Sequence, residues 1–128
     1  MEKLTFLKLI YAANILGAGN VGIRCLFFPR NAATTVFSDT VQPSHAMQIL
    51  GAFWLTVAIL SIAGFFNPII FSPLLLVQLV YKVSWLSVVV VPSFISGRTD
   101  TLPKSVVIFF IIWVVILPFA IPWKVLLQ

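Results

Sequence analysis

The chain has 128 residues, of which 61% are hydrophobic and only 9% charged, against about a quarter charged in an ordinary soluble domain. Eight basic and three acidic side chains are too few to cover a folded surface in water, and the mean hydropathy is +1.13. The net charge of +5 does not point to nucleic acid. Lys3, Lys8, Arg24, Arg30, Arg98, Lys104 and Lys124 fall near predicted helix ends, where they meet lipid phosphates and set topology.

The apolar residues come in runs of about 20, the length that crosses a hydrocarbon core of roughly 30 Å. They predict an all-α membrane protein with four spans, at residues 4–28, 45–66, 73–91 and 104–121. Lys8 interrupts the apolar stretch after Lys3, and no small-x-small cleavage site follows, so the first span reads as retained. Pro29 and Arg30 are expected to end it.

Residues 31–44 form the longest polar stretch. Asn31 is a candidate cap for a short helix carrying Val36 and Phe37, which would lie in the membrane interface. Ser44 is a candidate N-cap for the second span, and Asn67-Pro68 breaks it. Ser72-Pro73 reads as N-cap and first helical residue of the third span. The short uncharged connection predicts a tight antiparallel hairpin of spans two and three. Residues 92–103 read as the second polar loop. Pro118 falls in the last turns of the fourth span, with Trp123 and Lys124 as interfacial anchors. The whole is one antiparallel four-transmembrane-helix bundle, multi-pass and integral to a membrane.

Lipid gives helices no hydrophobic reason to associate, so small residues and polar contacts must hold them. The first span carries two such stripes at helical spacing. Tyr11, Asn14, Ala18, Gly22 and Cys25 form one, and Ala13, Gly17, Asn20 and Arg24 the other. That pattern predicts a helix sandwiched between neighbours. Ala52, Thr56 and Gly64 repeat the device more weakly on the second span. The fourth span, almost wholly large and apolar around Trp113, is expected to face lipid or a partner.

Lys82 stands about ten residues into the third span, near the bilayer midplane at about 1.5 Å per residue. A lysine at that depth costs on the order of 3 kcal/mol, and its stem is too short to snorkel to water. Centre-aligned spans put Asn14, Thr56 and Lys82 in one depth layer, with Gln78 about a turn away. These residues predict a polar pocket walled by Tyr81, Trp85 and either Trp54 or Trp113. The acidic side chains are Glu2, Asp39 and Asp100, all outside the spans. Three roles for Lys82 stay open: hydrogen bonding inside the bundle, contact with a partner subunit, or holding an acceptor on a ligand such as a fatty-acid carboxylate or a quinone carbonyl. Arg24 and Arg30 are expected to anchor on lipid headgroups or the first loop, and Arg24 alternatively to meet a ligand entering the bundle.

A lone cysteine, Cys25, allows no internal disulfide, and His45 is the only histidine. No metal cluster, Ser-His-Asp set, carboxylate pair or phosphate loop is present. The inventory gives no catalytic residue, predicts no cofactor beyond a possible quinone or lipid, and argues against catalysis by this chain alone.

Several segments together resemble the DoxX-like family of small four-helix membrane proteins. They are Arg24-x-x-x-x-Pro29, Leu50-Gly51-Ala52-Phe53-Trp54-Leu55, Gly64-Phe65-Phe66-Asn67-Pro68 and, most distinctively, the Gln78-x-x-Tyr81-Lys82-x-x-Trp85 run. The resemblance covers nearly the whole chain. It implies the four-helix fold; the founding members are similar to membrane subunits of quinone-linked sulfur oxidation, but no motif here fixes such chemistry. The expected function is a non-catalytic subunit or scaffold of a membrane complex, partnered by lipids and by another membrane protein or a second copy. The rival is a binding protein for a quinone or lipid at Lys82, with the role of a redox accessory.

Overall fold

A computed structural model describes residues 3–128. Among them every regular element is helical: α1 (Lys3–Phe27), α2 (Pro29–Thr35), α3 (His45–Phe66), α4 (Pro73–Ile95), α5 (Lys104–Ala120) and α6 (Trp123–Leu126). Three of them, α1, α3 and α4, are long and apolar enough to cross a membrane. The equally apolar α5 has 17 residues, about 25 Å at 1.5 Å per residue.

α1 and α3 run antiparallel and form the most extensive helix pairing. Glycine makes this possible. A Cβ on Gly22 would stand 2.6 Å from the Leu55 amide nitrogen, and one on Gly51 2.6 Å from that of Leu26. Both obstacles are backbone, so the two helices approach to a distance only glycine permits. Of the predicted stripe, Tyr11, Asn14, Gly22 and Cys25 are buried and Ala18 is partly so. α1 also touches α5, but its third face, with Leu9, Leu16 and Ile23, is exposed. It is therefore flanked on two sides rather than enclosed.

Pro29 does not stop the chain. It breaks α1 because the residue before a proline is pushed out of the α region, and Phe28 accordingly sits at φ −131°, ψ 61°. Pro29 then starts α2, and Asn31 lies inside that helix rather than capping it. Val36 and Phe37 are buried against the bundle: Phe37 stacks on Trp54 with ring centroids 6.3 Å apart, and both pack in a cluster with Met47, Val106 and Phe110.

Ser44 caps α3 as expected, accepting the Met47 amide at 3.1 Å. Ser72 does not cap α4. Its backbone is already helical, and its hydroxyl donates back to the Ile69 carbonyl at 2.6 Å. The connection at residues 67–72 does not zip α3 to α4 either. The two helices barely meet along their backbones, because α3 is committed to α1 and α4 packs antiparallel on α5.

α4 outruns its expected end. A π-helical turn at Leu86–Val90 carries it past Pro92 to Ile95. The wider turn already forgoes the usual i→i−4 bonds, so the missing proline N–H is accommodated there. Gly97, at φ 73°, then ends the helix, with the Arg98 amide bonded back to the Ser93 carbonyl. α5 is no lipid-facing cylinder. Phe110, Trp113, Leu117 and Ala120 are buried along one side, and Ile108, Ile112, Val115 and Phe119 are exposed along the other.

Candidate functional site

Between α1, α4 and α5 the packing is loose, and a cavity of about 330 Å³ opens there. Its floor is polar. Asn14 of α1 and Gln78 of α4 exchange two hydrogen bonds: the Asn14 amide donates to Gln78 Oε1 at 2.8 Å, and the Gln78 amide donates to Asn14 Oδ1 at 3.0 Å. Both residues are buried, and this pairing satisfies one donor and one acceptor on each.

Lys82 follows one helical turn after Gln78 and is only 2% exposed. Its Nζ donates to the Tyr81 hydroxyl at 2.6 Å. It also lies 4.3 Å from the Tyr81 ring centroid and 4.9 Å from that of Phe110, within the range of cation–π attraction. Among the described residues no acidic side chain lines the cavity. Asp39 accepts a bond from Thr34 in the α2–α3 loop, and Asp100 stands in the α4–α5 loop. Lys82 is thus held by one phenol oxygen and two aromatic faces.

Tyr81 is the junction of the site. Its oxygen accepts from Lys82 and from the Trp54 indole N–H at 3.2 Å. With both oxygen lone pairs engaged, the Tyr81 proton remains to donate. The ring is fixed edge-on between Phe53 and Phe110, at 5.2 and 5.8 Å between centroids.

The walls above the floor are small or apolar: Gly17, Ala18, Val21, Val36, Phe109 and Phe110. Gly17 leaves room for Phe109, whose ring would lie 3.2 Å from a Cβ there. The mouth carries Asn20, Arg24, Thr35 and Ser105. Asn20, Thr35 and Ser105 are exposed, and Arg24 is partly so.

Comparison of the chain with protein families, with curated proteins and with solved structures gives no match in any of the three. The geometry alone therefore carries the functional reading.

Of the residues singled out by depth and spacing, Lys82, Gln78, Tyr81 and Asn14 meet around one cavity. Thr56 does not join them. It stands about 200° around α3 from Trp54, exposed, with its hydroxyl bonded to the Ala52 carbonyl of its own helix. Trp85 is also outside the cavity. Its ring packs edge-on against the far side of Phe110 at 5.3 Å and lines a separate apolar hollow. Trp54 walls the site, whereas Trp113 belongs to the apolar cluster of Leu7, Tyr11, Leu75 and Leu117. Arg24 lines the mouth and Arg30 is exposed outside it. The second small-residue stripe of α1 supplies Gly17, Asn20 and Arg24 to the cavity, while Ala13 is exposed. Phe109 and Phe110 carry no sequence signal, because every neighbouring position of α5 is apolar and no periodicity stands out.

Proposed function

We propose that the chain is a multi-pass integral membrane protein of four antiparallel spans that binds an apolar small molecule, a lipid or a quinone, in the Lys82 cavity. The DoxX-like resemblance supports the four-span arrangement and supplies no activity. α5, a few ångström short of the hydrocarbon thickness, completes it by local thinning of the bilayer, with Lys104 at its start and Lys124 in the following α6 as anchors. One observation carries the ligand reading. A buried lysine faces a cavity of ligand size, with no carboxylate on its walls among the described residues. Held as an ammonium, it costs several kilocalories per mole unless something within the cavity compensates.

A role as a non-catalytic subunit, scaffold or homo-oligomer is compatible with ligand binding and stands second. The exposed apolar residues Leu16, Ile49, Phe66 and Ile70 serve lipid and a partner subunit equally well. Native mass spectrometry after gentle detergent extraction tests both readings. The expected spectrum shows the chain with a bound lipid-like mass that is absent from the Lys82→Met variant. A bare wild-type chain, or the same adduct on both proteins, would remove the ligand reading. A stable partner mass that survives the substitution would favour the subunit.

A further inference from the structure

We infer that the occupant is a lipophilic monocarboxylate, with its head group on Lys82 and its apolar body extending toward the mouth between α1 and α5. The inference rests on the reading of the cavity as a ligand site and specifies the chemistry of what fills it.

The hydrogen-bond inventory of the floor is one-sided. Asn14 and Gln78 are committed to each other, and the Trp54 N–H is committed to Tyr81. What is left over is mostly donors: two of the three N–H bonds of an ammonium at Lys82, the hydroxyl proton of Tyr81 and one N–H on each amide, against one carbonyl lone pair on each amide. A carboxylate brings two oxygens with about four acceptor positions and takes the three donors of Lys82 and Tyr81. A neutral carbonyl would accept hydrogen bonds but leave an ammonium without a counter-charge at a buried position. A carboxylate supplies both, as a charge-assisted pair.

The charge count favours one negative charge. Lys82 is the only cation at the floor. Arg24, the second cation lining the cavity, stands at the partly exposed mouth, where water and lipid phosphates can neutralise it. Its field draws anions toward the opening. A second full charge on the ligand would have to lie among Gly17, Ala18, Val21, Phe109 and Phe110, where nothing offsets its desolvation. The same walls fix orientation. With the head group at Arg24, the apolar chain would end on the Asn14–Gln78 pair and Lys82. With the head group at Lys82, the chain lies against apolar side chains.

The test uses the purified full chain in neutral detergent at pH 7.4, titrated with dodecanoate and with methyl dodecanoate. The acid is expected to bind at least tenfold more tightly than the ester. Lys82→Met should abolish that difference, whereas Arg24→Gln should weaken acid binding less than fivefold. Solid-state NMR on the wild type, with ¹³C-carboxyl dodecanoate and ¹⁵Nζ-lysine, should show a direct carboxylate–lysine coupling, which keeps the inference open to refutation even where Lys82→Met folds poorly. Ester binding as tight as acid binding would overturn the head-group assignment and leave the ligand site standing. Loss of acid binding in Arg24→Gln alone would overturn the orientation. Binding of neither probe, with a bare chain in the mass spectrum, would overturn the ligand site as well.

Discussion

The two sides of α1 solve the problem of helix contact in opposite ways. Toward α3 the helix presents Gly22, and α3 answers with Gly51, so that a side-chain carbon on either would collide with backbone. Toward α4 and α5 it presents Asn14, Gly17, Asn20 and Arg24, and a cavity of about 330 Å³ remains between them. Small residues therefore have two uses within one helix. Where both partners are small, the backbones close; where small residues face large aromatic ones, Gly17 takes the Phe109 ring and a hollow remains beside it. The first side is a seam whose job is stability. The second keeps polar groups together at the expense of packing, and that is the side on which a ligand is proposed.

Substitutions should separate the two sides. The largest expected effect is at the seam. Gly22→Val must displace the backbone of α3 and should cost about 3 kcal/mol, read as a lowered unfolding midpoint in detergent. A variant of wild-type stability would show that the close approach of α1 and α3 is not what holds them. On the cavity side the sign changes. Lys82→Met removes an uncompensated charge, so the ligand-free protein should be unchanged or stabilised by up to about 2 kcal/mol. A clear loss of stability would return Lys82 to a structural role. Asn14→Leu leaves Gln78 buried with one partner gone, at a cost of about 1–2 kcal/mol. The double change Asn14→Leu with Gln78→Leu should recover most of it, and failure to recover would show that the pair is not coupled. Thr56→Val, on the outer face of α3, should shift stability by less than about 0.5 kcal/mol and leave ligand binding untouched.

The difference between the two sides was only half visible in the amino-acid order. Helix identity and approximate bounds followed from runs of apolar residues and from Ser44, Asn67 and Pro73. Depth along each helix was legible as well, which is why Asn14, Gln78 and Lys82 could be placed in neighbouring layers. Rotation about the axis was legible only where a helix mixes small, polar and large residues. α1 does: Gly22 and Cys25 of one stripe lie at the seam, while Asn14 and Ala18 of the same stripe line the cavity with Gly17, Asn20 and Arg24 of the other. α3 offers less contrast, and Thr56 was assigned to the interior on depth although it turns outward. α5 offers none, so the inward turn of Phe110 and Trp113 had no signature. Pairing partners were hidden for a different reason. A short connection brings the ends of α3 and α4 together, but the glycine seam and the aromatic contacts decide which helices pack. The continuation of α4 through Pro92 depends on a π-helical turn, which leaves no mark in the sequence.

The most direct measurement is an electron-density map of the protein crystallised from a lipidic mesophase, read at Lys82. An elongated density ending within hydrogen-bond distance of Nζ and the Tyr81 hydroxyl, with its length running past Ala18 and Val21 toward Arg24, is the predicted result. A collapsed hollow, with the lysine amine bonded to a backbone carbonyl and nothing between α1 and α5, would contradict it.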